Sequence, residues 1–180
     1  MYASGNPYSF AVMKINTKFT LGSQQGRDIL SHLTRELAIE KFSSLVDEQI
    51  LTDYIHKHFN KATLIAETND MSNQWLVVYV DDTPAGYACI TSKGERPALL
   101  AGKRAMCIAD FGVLHKYATP AVIDSLFEKC LSVCQGVDGI WITEYAQNPL
   151  ILYFESKGFT LTKTGFQATE LPLKYVSMIR

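Results

Sequence analysis

The sequence predicts an α/β fold in which a mixed, mostly antiparallel sheet carries helices on both faces. Two β-rich runs, 75–80 and 86–91, flank the turn sequence DDTP and indicate an antiparallel hairpin. A strand, a helix and another strand follow one another within 106–143, an order that predicts parallel pairing with a right-handed crossover. Two amphipathic helical segments, 27–43 and 47–59, precede the hairpin.

Residues that start or stop regular structure set the boundaries of the predicted elements. Thr119 followed by Pro120 is typical of a helix start, because threonine caps the first turn and proline fits its first position. Gly112 interrupts an apolar strand and predicts a β-bulge there. We expect strands over 14–21, 75–80, 86–91, 106–114, 139–143, 159–163 and 173–179. The other two long helices are expected over 120–135 and 150–157, with a short helical segment at 61–70.

Length and charge narrow the class of protein. The chain has 180 residues, which fits one domain over 1–180. It carries 17 Lys+Arg against 18 Asp+Glu, so its net charge of −1 gives no electrostatic footprint for nucleic acid or an anionic membrane. No apolar run approaches the roughly 18 residues of a membrane span. We therefore expect neither nucleic acid nor a membrane as partner.

The amino-terminal residues and the cysteines predict the compartment. Residues 1–12 lack a basic start and a long apolar stretch, so they do not resemble a secretory signal; they are a candidate disordered leader, and Met13 is a candidate alternative start. We expect a cytoplasmic protein with reduced thiols. Cys130 and Cys134 share one helix face with leucine and phenylalanine, which favours core packing over a metal site.

One loop is suited to holding phosphate. The segment LHKYATPAVI, residues 114–123, connects a strand to the start of the next helix. At such a start, backbone N–H groups point outward and the helix dipole is positive, and both features favour a bound anion. The sequence therefore predicts an anion site in this loop.

The segment GIWITEYAQNPLILYFESKGF, residues 139–159, joins a short apolar strand, an asparagine-bearing helix start and a terminal Gly-Phe. With the hairpin WLVVYVDDTPAGYACI, it resembles the GNAT acetyltransferase superfamily over most of the chain. The front helices are similar to the polyamine acetyltransferase branch. The resemblance implies acetyl-CoA as cofactor and direct acetyl transfer to a small amine. It also implies a cofactor cleft where strands 106–114 and 139–144 splay apart, and a homodimer through the closing strands.

The family's pyrophosphate motif, Q/R-x-x-G-x-G/A, aligns without gaps on residues 118–123, and none of its three defining residues is present. Pro120 has no N–H to donate, and Ala121 and Ile123 carry Cβ atoms where glycine admits a phosphate. Asn148 matches the position that contacts the cofactor arm, although a helix cap before Pro149 also explains it. The resemblance implies cofactor contacts from Phe111, Val113, Lys116, Ala118, Thr119, Ala121, Val122, Ile123, Asn148 and Phe154.

The catalytic positions also depart from the family's pattern. Counting back four residues from the terminal Gly-Phe, where the family often has a proton-donating tyrosine, gives Phe154, with Tyr153 adjacent. Where the fourth strand often carries glutamate there is Ala109, followed by Asp110. We predict Asp110 as the base and Tyr153 as the acid; a solvated or loop-capping carboxylate and a half-buried packing tyrosine are the alternatives. The sequence predicts an N-acetyltransferase, with a catalytically inactive binding module of the same fold as the alternative.

Overall fold

The computed structural model describes residues 13–167 and 170–180, so the candidate leader lies outside the described residues. The strands are β1 Ile15–Phe19, β2 Asn73–Val80, β3 Thr83–Thr91, β4 Ala105–Val113, β5 Gly139–Tyr145, β6 Thr160–Gln167 and β7 Leu173–Ile179. The helices are α1 Gln24–Phe42, α2 Glu48–His58, α3 Lys61–Asn69, α4 Pro120–Val133 and α5 Ile151–Ser156. None of the helices within the described ranges combines the length and apolar character that a bilayer span requires.

The strands form one twisted sheet in the order β1-β2-β3-β4-β5-β7-β6. Strands β4 and β5 pair in parallel, as the strand–helix–strand order predicts, and the other neighbouring strands pair antiparallel. Helix α1 packs Leu30, Leu33 and Leu37 on one face of the sheet. Helices α4 and α5 cover the opposite face with an aromatic and aliphatic core that includes Phe127 and Phe154. The predicted fold class is confirmed.

The sheet opens between its two parallel strands. Pairing of β4 with β5 ends at Ile108 and Ile142. Beyond these residues β4 stays paired with β3, and β5 stays paired with β7, so the two strand edges that face each other have no partner strand. This opening is the predicted splay, and it leaves backbone N–H and C=O groups free to pair with a ligand.

The bulge in β4 lies at Ala109, and the prediction of a bulge at Gly112 is wrong. Cys89 pairs with Asp110 while the next residue of β3 pairs with Ile108, which leaves Ala109 as the extra residue. A bulge reverses the side-chain phase, so Asp110 points to the α1 face although Ile108 points to the opposite one.

Gly112 lies in regular pairing with Tyr87, and a side chain at this position would crowd α1. An added Cβ would lie 3.2 Å from Cδ1 of Leu37 and 3.3 Å from Cε of Lys41. Both neighbours belong to α1, so the glycine lets that helix lie close against β4. The glycine that the sequence suggested as a bulge is therefore a packing position for α1.

Thr119 caps α4 as predicted, its Oγ1 accepting the Val122 amide at 3.4 Å. Because the cap satisfies a donor at the helix start, we expect Thr119→Ala to lower the free energy of unfolding by about 1 kcal/mol. Urea unfolding followed by circular dichroism measures the difference. Thr119→Ser keeps the hydroxyl and serves as control; a loss as large as that of the alanine variant would contradict the capping role.

Candidate active site

Two cavities lie beside the opening of the sheet. One, of about 360 Å³, is lined by α1, α2, β4, β5 and β7 and is called here the α2-side cavity. The other, of about 310 Å³, lies between α1, the end of β4, the start of α4 and the segment after β5, and is called the α4-side cavity. Lys41 and Tyr145 line both. A molecule bound in one cavity can therefore approach a molecule bound in the other.

A half-buried ion pair connects α1 to β4 inside the α2-side cavity. Nζ of Lys41 donates to Oδ1 of Asp110 at 2.8 Å, and the two side chains are only 13% and 27% exposed. Oδ1 also accepts the Phe111 amide at 2.8 Å, and Oδ2 accepts the Tyr87 hydroxyl. The carboxylate of Asp110 is thus held by three donors, and it is neither the solvated nor the loop-capping group of the alternative interpretation.

The environment of Lys41 keeps it charged. Burial lowers the pKa of its ammonium, but the negative charges of Asp110 and Glu144 outweigh burial and raise the pKa above its ordinary value. The ammonium is therefore a fixed positive charge at the junction of the two cavities. Its position follows from helix spacing, since Leu33, Leu37 and Lys41 recur every four residues along the buried face of α1.

Glu144 brings a second carboxylate to the α2-side cavity. Its residue is 7% exposed, and burial raises the pKa of its carboxyl, which the nearby Lys41 charge lowers and the Asp110 charge raises. Oε2 of Glu144 accepts Nδ2 of Asn148 at 2.7 Å, and Oδ1 of Asn148 accepts the Leu150 amide at 2.8 Å. Asn148 therefore caps the segment before α5 and also orients Glu144.

Sequence reasoning missed Lys41 and Glu144. The sequence does contain a signal for both, because each is a charged residue at a position where the apolar repeat of its helix or strand predicts a buried side chain. Lys41 continues the leucine stripe of α1, and Glu144 continues the inward phase of Ile140 and Ile142 in β5.

The structure brings part of the predicted cofactor set together. Val113, Ala118, Ile123 and Asn148 all line the α4-side cavity. The Leu114 amide donates to the Ala85 carbonyl at 2.8 Å, and in an antiparallel ladder the preceding residue then turns its own amide away from β3. The Val113 amide consequently faces the opening.

Lys116, Thr119 and Ala121 are exposed near the start of α4. The amides of Val122 and Ile123 both donate to the Thr119 carbonyl at 3.1 Å. Pro120 has no amide hydrogen. Among the hydrogen bonds of the described residues, none uses the Ala121 amide, so this is the donor that the first turn of α4 offers to an anion.

Phe111, Val122 and Phe154 do not reach the opening with their side chains, because all three are fully buried in the core shared by α4 and α5. Their backbone amides are also engaged, by Asp110, Thr119 and Leu150 respectively. The side chains and amides of these three residues therefore offer no contact to a ligand in the opening, whereas the Phe111 carbonyl has the same phase along β4 as the Val113 amide and faces the opening.

Tyr153 lies on the α4 side of α5 and lines neither cavity. Its hydroxyl donates to Oδ1 of Asp124 at 2.7 Å, and its ring packs against Phe127. Burial and the hydrogen bond to Asp124 raise its pKa. Its predicted part as an acid stays a prediction, and the structure does not bring it together with Asp110.

Comparison with known proteins identifies the fold. No protein-family model matches the sequence, and neither does any curated protein. Among solved structures, PaiA N-acetyltransferase from Thermoplasma acidophilum, in complex with coenzyme A, superposes with a TM-score of 0.71 at 13% identity, over 92% of this chain and 98% of that chain. An acetyltransferase of the GNAT family from Streptococcus pneumoniae gives a TM-score of 0.62 at 11% identity, over 93% and 99%. The chain has the GNAT acetyltransferase fold.

A third structure with this GNAT fold was solved with both reaction partners joined. Naa50 from Arabidopsis thaliana, in complex with the bisubstrate analogue CoA-Ac-MVNAL, gives a TM-score of 0.61 at 15% identity, over 92% of this chain and 97% of that chain. In the GNAT fold of the present chain, the tyrosine common to both cavities is Tyr145 rather than Tyr153. Burial raises the pKa of Tyr145, so its hydroxyl stays protonated near neutral pH.

Proposed function

We propose that the protein is an acetyl-CoA-dependent N-acetyltransferase that transfers an acetyl group directly to a small amine. The acetyl donor binds in the α4-side cavity and the amine in the α2-side cavity. The observation that carries the proposal is the pair of cavities meeting at Lys41 and Tyr145, beside the unpaired edge of β4. Coenzyme A in the PaiA structure of the same fold supports the choice of donor.

The unpaired edge of β4 is suited to binding the acetyl donor, acetyl-CoA. A buried backbone edge needs hydrogen-bond partners, and the amides of a pantetheine arm supply them. The Val113 amide, which faces the opening, polarises the thioester carbonyl and stabilises the negative charge that develops on its oxygen. When bound, acetyl-CoA supplies the acetyl group as a thioester.

The start of α4 offers the pyrophosphate of acetyl-CoA fewer hydrogen-bond donors than the family's motif provides. The Ala121 amide, the dipole of α4 and Lys116 hold the pyrophosphate, and the side chain of Ile123 lines the cavity beside them. A charge at an exposed helix start contributes only about 0.3–1 kcal/mol, so most of the affinity comes from the arm along β4.

The remaining groups move protons. A carboxylate of the α2-side cavity, either the predicted Asp110 or Glu144, takes the proton of the amine. Tyr145, protonated and common to both cavities, donates a hydrogen bond to the departing sulfur in place of the predicted Tyr153.

The alternative is a binding module that has lost catalysis, and the loop before α4 favours it. Pro120 and the two amides engaged by Thr119 leave the first turn with a single donor. Such a module binds its ligand in the opening but does not transfer an acetyl group.

Release of free thiol from acetyl-CoA tests the proposal. The full chain is incubated with acetyl-CoA and a panel of small primary amines, and thiol release is followed together with mass spectrometry of the products. We expect turnover with at least one amine above the rate without protein. Tight binding of acetyl-CoA with no acetylated product would contradict the proposal and favour the binding module.

A further inference from the structure

Two carboxylates reach the α2-side cavity from opposite sides of the opening, and they are held very differently. Asp110, on β4, accepts hydrogen bonds from the ammonium of Lys41, the hydroxyl of Tyr87 and the amide of Phe111. Glu144, on β5, accepts one hydrogen bond from a side chain in the described part of the chain, from Nδ2 of Asn148 to Oε2, and the backbone of Tyr145 also acts on its carboxylate.

We propose that Glu144 receives the ammonium group of the acceptor amine and takes its proton, and that Lys41 is a positioning residue that holds Asp110 as a fixed anion. The inference rests on the proposed acetyl transfer and assigns the base within it. In this assignment the base lies on β5. It does not lie on β4, where the bulged residue is Ala109.

Charge balance supports this division of roles. The Lys41–Asp110 pair is neutral as a unit, so it does not cancel the charge of Glu144, and the other lysine that lines the cavity is Lys174. Burial makes the charge of Glu144 costly, and an incoming ammonium relieves the cost. The titratable groups that line the cavity with Glu144 are Lys41 from α1, Tyr54 and His58 from α2, Tyr87 from β3, Asp110 from β4, Tyr145 from β5, Glu170, and Lys174 and Tyr175 from β7.

The charges at the far side of the cavity are partly neutralised. Glu170 is bound by Lys57 and His58 of α2, which lowers the pKa of its carboxyl. It is thereby an anion with its own partners, as Asp110 is, whereas no cation within residues 13–167 and 170–180 forms an ion pair with Glu144.

Aromatic rings line the same cavity as these charges. Phe42 contacts Tyr54 edge-on with a centroid separation of 5.9 Å and Tyr145 with a separation of 5.1 Å. Ring faces attract cations in a desolvated site. The cavity is thus suited to an amine that arrives as an ammonium ion.

During the transfer the amine nitrogen loses two protons, one before and one after it bonds to carbon. The ammonium first gives one proton to Oε1 of Glu144, leaving a neutral amine with a free electron pair. That pair forms the bond to the thioester carbonyl carbon, and the carbon–sulfur bond breaks with its electron pair leaving on sulfur. The nitrogen loses a second proton, which ends on the sulfur to give the free thiol, and Glu144 returns its own proton to solvent.

The first test follows the titration of Glu144 directly. The full chain is labelled with ¹³C at glutamate carboxyls, and Glu144→Gln assigns the signal. Because Lys41 lowers the pKa of Glu144 and Asp110 raises it, we expect the Glu144 midpoint to rise in Lys41→Met and to fall in Asp110→Asn. Lys41→Arg and the double variant Lys41→Met with Asp110→Asn should stay near the wild type. Shifts in one common direction, or none, would overturn the inference.

Lys41→Met leaves Asp110 without its cation and is the variant most prone to unfold. The double variant removes both charges together, so it and Asp110→Asn still decide the outcome if the single variant does not fold. If the ion pair serves stability alone, the acid-side midpoint of kcat/KM in Asp110→Asn does not move with the Glu144 midpoint.

The second test is the pH dependence of kcat/KM for an amine accepted by the wild type. We expect kcat/KM to fall on the acid side through the Glu144 midpoint, and Glu144→Gln to lower it at neutral pH by about 100-fold or more. An active wild type with an equally active Glu144→Gln overturns only the present inference. A wild type that transfers no acetyl group to any amine overturns the proposed function and this inference with it.

Discussion

Replacing Val113 with proline is expected to lower kcat for acetyl transfer by about 10²–10³-fold, the usual cost of losing one donor to a developing oxyanion. The amide that proline removes faces the opening and takes no part in pairing with β3, so no ladder hydrogen bond is lost. The effect should appear in kcat and not in the KM for acetyl-CoA, since the Val113 amide stabilises mainly the transition state.

Val113→Ala is the matched control. It keeps the amide and removes part of a buried side chain, so kcat should stay within a few-fold of the wild type while stability falls. Circular dichroism checks that the proline variant retains its fold. A folded proline variant with wild-type kcat would show that another group polarises the carbonyl.

Phe154→Ala is expected to lower the free energy of unfolding by about 3–5 kcal/mol, the range measured for phenylalanine truncation in protein cores. The ring is fully buried and packs edge-on against Phe111 at 5.5 Å and against Phe159 at 5.9 Å between centroids. Deleting it leaves a cavity where α4 and α5 meet the sheet. Denaturant unfolding measures the change.

Leu152→Ala on the same helix is the control, because Leu152 is 76% exposed and its truncation should change stability by less than about 0.5 kcal/mol. Phe154→Leu separates packing from the cofactor contact that the family resemblance implies. If Phe154 acts only in the core, the leucine variant keeps its affinity for acetyl-CoA. A large drop in that affinity with an intact fold would assign Phe154 a direct role.

Local sequence patterns predicted most of the fold. Apolar periodicity and the Thr119-Pro120 start placed α4, and the turn after β2 placed the hairpin. The bulge was misplaced because glycine inside a strand has two physical explanations, an irregular backbone or a close neighbour. Gly112 has the close neighbour, Lys41, which lies 71 positions earlier in the chain, and no local pattern reveals it.

The site was less predictable for the same reason. Asp110 was identified from its strand, but its partner Lys41 lies 69 residues away on α1. Glu144 was not predicted as a site residue, because it lies in a short apolar strand and no neighbouring residue in the sequence indicates a functional carboxylate. Tyr153 was predicted as the acid because it adjoins Phe154, the residue that the count from the terminal Gly-Phe gives, whereas the face that its side chain takes is set by the packing of α5 on α4.

The most direct test of the central claim is calorimetric titration of the full chain with acetyl-CoA, paired with thermal unfolding. Binding in the α4-side cavity predicts saturable heat and, at about 100 times the dissociation constant, a stabilisation of about 2.7 kcal/mol. Ile123 lines this cavity, and in Ile123→Trp the larger indole should occupy the space of the ligand. We expect this variant to show neither the heat of binding nor the stabilisation, and to keep its fold. No binding by the wild type at millimolar acetyl-CoA, or unchanged binding by the tryptophan variant, would contradict the account.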